Sequence, residues 1–345
     1  MNTSAPLLIT YDDIYLAWML GAGDGSHPTN PVRAKLATEM LVASLGERAR
    51  VIHPSPASRR ADDEAAVRNT HEANYVDRTL AGDNAAWYFN STEVAQAGLA
   101  MFGGTVRAVE AILAGEAKVV FNPQGAKHHA KFSQSSGFCV FNDMAYAAIT
   151  LKAAGLRPLY IDWDIHAGDG VFHMLKGHDV PTISIHCGTQ YPWDAEMNRA
   201  ERGAFHDKAA HNYNFNLAQG DGDDVFKQFI DASAEIIDRY QPDVILLAAG
   251  ADGHGGETRL VPIANYTAEG FRYAAQMIAD RALKYSQGRV IIGGAGGYQP
   301  LKETPETWAL VVEEIYTRVA GGASTMHATT TKPTAKRSRS PKKVS

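Results

Sequence analysis

Cysteine is nearly absent: Cys139 and Cys187 are the only two in 345 residues. Two thiols cannot build a disulfide framework or a multi-cysteine zinc finger. They point instead to a reducing, cytoplasmic setting. Long apolar runs are also missing, and none approaches the ~20 residues that a membrane-crossing helix needs. The opening stretch, MNTSAPLLITYDD, lacks a basic region followed by a long apolar one, so no signal peptide is expected. No segment recurs at a fixed period, which argues against a repeat architecture. One region lacks acid altogether. Residues 321–345 hold six Lys or Arg, no Asp or Glu and almost no apolar pattern. They read as a disordered, basic Ser/Thr/Pro/Lys-rich tail. The chain as a whole carries −5, so residues 1–320 hold 27 basic against 38 acidic side chains, or −11. A basic run without interleaved aromatics is usually a solubilising tail. Weak non-specific contact with a polyanion is its functional alternative.

What is present is ample for a core. With 345 residues and 45% apolar content, residues 1–320 suit one domain. The densest chemistry lies in Tyr160–Gly170, YIDWDIHAGDG. Asp162, Asp164 and His166 occupy alternate positions after the apolar run Pro158–Ile161. On a strand, such positions share a face. Carboxylates and an imidazole converging there suit a borderline-soft divalent metal.

Other short runs end in the same way. Lys118–Phe121 leads into NPQGAKHHA with His128 and His129, and Asp243–Ala248 into AGADGH with Asp252. Arg289–Ile292 leads into GGAGGY, ending at Tyr298, and Thr182–Ile185 leads into His186. Helix-like segments, such as 142–154 and 225–240, lie between them. The alternation predicts an α/β fold with a mostly parallel central sheet flanked by helices. Sites in such sheets form at the carboxyl ends of the strands, so five polar strand ends suggest one site.

Seven motifs in order extend this reading: HPTNPVR (27–33), GAKHHA (125–130), SGFCVFND (136–143), DWDIHAGDG (162–170), SIH (184–186), AGADGH (249–254) and GGAGGY (293–298). Over about Tyr11 to Ala320 the chain resembles the zinc-dependent histone deacetylase family. That family includes acetoin-utilisation-type deacetylases and acetylpolyamine amidohydrolases, and the motif forms are closer to its class I and acetoin-utilisation branch. The resemblance implies hydrolysis of an acyl-lysine side chain or a small acylated amine by metal-activated water. It implies Asp164, His166 and Asp252 as ligands of Zn2+, with Fe2+ compatible with the same donors. His129 matches the general base, His128 its electrostatic partner, and Asp169 and Asp162 the carboxylates that orient them. Tyr298 matches the donor to the oxyanion. Backbone carbonyls of Asp162, Asp164 and His166, with Ser184 and Ile185, match a structural K+ site. Gly137, Phe138 and Tyr191 match the acyl-lysine tunnel, Arg259 its mouth, and Arg33 an internal acetate channel.

Two departures stand out. Ala167 replaces the second histidine common in the metal motif, at a position that is not a ligand. Arg259 stands where the polyamine-preferring branch carries an acid, which implies preference for an anionic neighbour or a charged acyl group. Each residue alone has a plainer reading: a capping Asp, a core aromatic, a solvated Arg, and for Cys139 a small buried hydrophobe. A two-manganese ureohydrolase of the same fold would need an Asp-x-His-x-Asp run, which the chain lacks. A catalytically weak acyl-ligand-binding protein is the remaining alternative. Substrate, acyl preference and oligomeric state are left open by these residues.

Overall fold

Parallel pairing needs a long crossover between strands, and a helix is the usual one. A computed structural model describes residues 5–20, 27–84, 89–257 and 263–329. The strands are β1 (Leu7–Thr10), β2 (Ala49–Ile52), β3 (Asp83–Asn84), β4 (Phe89–Asn90), β5 (Val119–Asn122), β6 (Pro158–Asp162), β7 (Thr182–Cys187), β8 (Gly203–Asp207), β9 (Asn212–Leu217), β10 (Val244–Ala248) and β11 (Val290–Gly293). The helices are α1 (Val32–Leu45), α2 (Arg60–Thr70), α3 (Ala73–Leu80), α4 (Thr92–Ala114), α5 (Asp143–Ala153), α6 (Asp169–Leu175), α7 (Asp223–Tyr240), α8 (Ala268–Tyr285) and α9 (Glu303–Thr329). Nine strands form one sheet in the order β2-β1-β5-β11-β10-β6-β7-β9-β8. Every pairing in it is parallel except β8 with β9 at one edge.

The strands are apolar at both phases because both faces are covered. Leu7, Ile9, Val119, Phe121, Ile245 and Leu247 pack against α1, α7, α8 and α9. Leu8, Val120, Tyr160, Leu246 and Ile291 face the opposite way, against α4, α5 and α6. This gives a helix–sheet–helix sandwich, the fold class expected.

The five strands whose ends carry the polar motifs are immediate neighbours, β5-β11-β10-β6-β7. Strand register therefore brings together motifs that lie up to 176 residues apart, from Asn122 to Tyr298.

Two expectations need correction. The chain does contain a helix of membrane-crossing length and apolarity: α4, with 23 residues. Its apolar window is 83% buried within the fold, so here it is a core helix. α9 also runs past Gly321, where the tail was expected to begin. Residues 330–345 of that tail, and Arg259, lie outside the described residues.

Candidate active site

β6 stops at Asp162, and the following residues turn rather than extend. The turn is stitched to its neighbours: Trp163 N–H donates to Ala248 O (3.3 Å), and Cys187 N–H to Ile165 O (2.9 Å). Strand alternation is thus not what aims these side chains, and Asp162 does not join the cluster. Its carboxylate accepts from the Tyr160 hydroxyl (2.6 Å) and the Asp164 N–H (2.9 Å), and lies 2.7 Å from His128 Nδ1.

The residues that do converge are Asp164, His166 and Asp252, with one donor atom each within 4.8 Å of the others. His166 Nδ1 lies 3.1 Å from Asp164 Oδ1 and 3.0 Å from Asp252 Oδ2. Backbone amides fix the carboxylates: Ile165 N–H donates to Asp252 (3.0 Å) and Gly296 N–H to Asp164 (2.6 Å). Position 296 has no room for a side chain, since a Cβ would fall 2.3 Å from Asp252 Oδ2 and 2.4 Å from Asp164 Oδ2. Close approach is what requires glycine there. Burial and the charge of Asp164 push Asp252 up to about 7. Two buried carboxylates and one imidazole facing a common point form a donor set that suits a divalent cation and leaves positions for other ligands.

Beside the cluster, His128 and His129 lie with ring centroids 4.0 Å apart. His129 Nδ1 is 2.7 Å from Asp169 Oδ1, and Lys131 Nζ approaches the second Asp169 oxygen at 3.2 Å. The two rings differ electrostatically. Burial works against charge on His128, but Asp162 and then Asp164 outweigh it and raise it to about 9. Burial, with the charge of His128, pulls His129 down to about 4. The surroundings therefore favour charge on His128 and disfavour it on His129.

Two aromatics stand close to these groups. Phe138 stands edge-on to Tyr298 (6.3 Å between centroids) and to His27 (4.6 Å), and Tyr191 edge-on to His129 (5.1 Å). The Tyr191 and Ser136 hydroxyls are hydrogen-bonded. Tyr298 is buried, and its N–H donates to Glu257 (2.6 Å). Ser184 pairs with Asp162 across β7 and β6, which puts Ser184 and Ile185 beside the turn that follows β6. Arg33 is buried below, donating to Gly297 O and lying 5.0 Å from the Trp308 ring centroid. Cys139 is buried, and burial pushes its thiol up to about 12, so it is a poor nucleophile. Sequence reasoning missed Tyr160 and Lys131. Each acts through a neighbour in space, Asp162 and Asp169, and no motif spacing marks it.

Braced histidines can move protons, and a two-Asp, one-His cluster can hold a cation. Side by side, they are the groups that a hydrolase activating water beside a metal would need. Residues 27–315 match the histone deacetylase domain, and the chain belongs to the histone deacetylase family. It is 33% identical over 218 residues to the acetoin utilization protein AcuC of Bacillus subtilis, covering 61% of this chain and 54% of that protein. To AcuC of Staphylococcus aureus strain MRSA252 it is 29% identical over 305 residues, covering 83% and 76%. To type-1 histone deacetylase 1 of Dictyostelium discoideum it is 28% identical over 305 residues, covering 82% and 58%. Family and relatives make the chain a deacetylase, hydrolysing amide bonds, and favour neither the ureohydrolase nor the binding-protein reading.

Proposed function

We propose that the chain is a zinc-dependent deacylase that cleaves the amide of an acyl-lysine side chain or a small acylated amine. The observation that carries this is the juxtaposition of His128 and His129, each braced by a carboxylate at 2.7 Å, with the buried Asp164–His166–Asp252 cluster. Asp164, His166 and Asp252 would hold the ion; bound there, zinc or iron(II) supplies carbonyl polarisation and a water acidic enough to attack near neutral pH. His129 takes a proton from the attacking water and later gives one to the leaving nitrogen. The water oxygen bonds to the carbonyl carbon and the C–N bond breaks, releasing a carboxylate and an amine. Asp169 fixes the tautomer of His129. Asp162 favours the charged form of His128, and that charge disfavours protonation of His129. Tyr298 donates to the oxyanion. Gly137, Phe138 and Tyr191 wrap the alkyl stem, and Arg33 lines the exit for the acid. The carbonyls near Ser184 and Ile185 would hold K+ and stiffen the metal loop. Two free buried cysteines suit the reducing cytoplasm as its setting.

The test is release of free amine from an acetyl-lysine peptide, an acetylpolyamine and an acidic acyl-lysine peptide, with zinc-loaded and chelator-treated protein side by side. Metal-dependent turnover of any of them is expected. No turnover by folded, zinc-loaded protein would remove the catalytic reading for these substrates.

A further inference from the structure

Outside the site just described, an open cavity of about 630 Å³ lies between the 131–134 loop and helices α2, α5 and α6. A volume of that order takes a small organic molecule. Phe132, Ile149 and Met174 give it apolar walls, and Lys131 is its cation. No acidic side chain is among the described residues that line it. Phe132 stands 57% exposed, although its carbonyl is fixed by the Glu72 N–H (2.9 Å). A held loop therefore presents that ring. An organic anion with an apolar body matches both the walls and the charge.

Two lining residues reach the catalytic groups. Lys131 Nζ lies 3.2 Å from Asp169 Oδ2, an oxygen that no other described residue hydrogen-bonds. The other oxygen of Asp169 lies 2.7 Å from His129 Nδ1. His173 Nε2 lies 2.6 Å from Asp194 Oδ2, on the loop that carries Tyr191. The Lys131 side chain is 38% exposed, so an anion in the cavity can reach its ammonium and compete with Asp169. Burial and the charge of His128 hold His129 low. An Asp169 freed of Lys131 would therefore raise the basicity of His129 toward the working range of a base.

We propose that this cavity is an effector site for a small organic anion with an apolar body, which raises turnover by drawing Lys131 away from Asp169. Binding stands on the cavity alone; the effect on rate rests on the deacylase reading.

The probe is 1-anilinonaphthalene-8-sulfonate, whose fluorescence rises on binding, with N-phenyl-1-naphthylamine as its uncharged counterpart. Wild type should bind the sulfonate saturably and the uncharged amine about tenfold more weakly. Phe132→Ala and Ser133→Glu should each weaken the sulfonate by about tenfold, one through the wall and one through charge. A thermal melt of each variant checks that it folds. With an acetyl-lysine peptide as substrate, saturating sulfonate should raise wild-type kcat by about threefold and leave KM unchanged. Lys131→Met should show the raised kcat without the probe and no further response to it. Displacement of the probe by the peptide, or equal affinity in both cavity variants, would overturn the site. An unchanged or lowered kcat in probe-saturated wild type would overturn the coupling through Lys131. If the probe binds through Phe132 and Ser133 but no peptide turns over, the site stands and the deacylase reading falls. If the peptide turns over and the probe does not bind, the site falls and the deacylase reading stands.

Discussion

Gly137→Ala should disable the enzyme without unfolding it. The backbone at Gly137 has φ +50, and a Cβ there would lie 2.0 Å from Cδ2 and 2.5 Å from Cγ of His129. An ordinary contact starts at 3.4 Å, so the imidazole would have to retreat by roughly 1.4 Å. His129 cannot simply swing aside, because Asp169 holds its Nδ1 at 2.7 Å and the His128 ring lies 4.0 Å away. A catalytic group displaced by about 1 Å costs on the order of 10²-fold in rate. The left-handed backbone adds about 1–2 kcal/mol of strain for a residue with a Cβ. Gly155→Ala separates the two effects: φ is +85 there, and nothing lies within 4 Å of the added Cβ. Both variants should therefore melt a few degrees early, while only Gly137→Ala should lose about 10²-fold in kcat/KM. The assay is amine release alongside a thermal melt. If Gly137→Ala stayed within about threefold of wild type, His129 would not be the positioned base and the wall of the site would be misread.

Tyr298→Phe should lower kcat by about 10²–10³ and leave Tm unchanged; global unfolding would instead mark the hydroxyl as part of the core. Exhaustive chelation should abolish turnover and lower Tm, since Asp164 and Asp252 would be left facing each other with only His166 between them; activity that survives it would take the metal out of the mechanism. Stability should fall on acidification through His71, which is buried and accepts the Asn142 N–H at Nε2 (2.8 Å). Burial pulls its ring from 6.5 down to about 4, so below pH 6.5 the unfolded chain binds the extra proton. Up to about 3 kcal/mol is then lost progressively between pH 6.5 and 4. A His71→Gln variant whose denaturant midpoint fell just as steeply over that range would place the acid sensitivity elsewhere.

Much of the fold was legible because parallel strands buried on both faces leave a plain trace. Lys118–Phe121 became Val119–Asn122, and Arg289–Ile292 became Val290–Gly293, each shifted by one residue at its ends. Local sequence could not give the strand order, and the order is what assembles the site. β11 inserts between β5 and β10, carrying Tyr298 in beside Phe138 and His166. Residue identities in the cluster were legible for a different reason: metal donors are few in kind, and three of them sat at strand ends. Their aim was not. The alternation rule placed Asp162 with Asp164 and His166, but the chain leaves the strand at Asp162 and turns that carboxylate to His128. Lys131 went unread because a lysine in a loop is nearly always solvated, and only the packed structure shows this one beside Asp169.

His128 and His129 show why motif and role are separate kinds of information. The two are adjacent, each braced by a carboxylate at 2.7 Å, and nothing in GAKHHA distinguishes them. With ring centroids 4.0 Å apart, both cannot comfortably carry charge, so one protonation discourages the other. Which ring takes the proton is decided by the surroundings. His128 faces two acids, Asp162 and, from Nε2 at 3.8 Å, Asp164. His129 has Asp169 alone, and Lys131 draws on that carboxylate from its other side. The balance therefore favours the proton on His128 over His129, and a neutral ring is the state a general base requires. The proposed division into base and partner thus rests on Asp162, Asp164 and Lys131, and exchanging the environments should exchange the roles even with both histidines untouched.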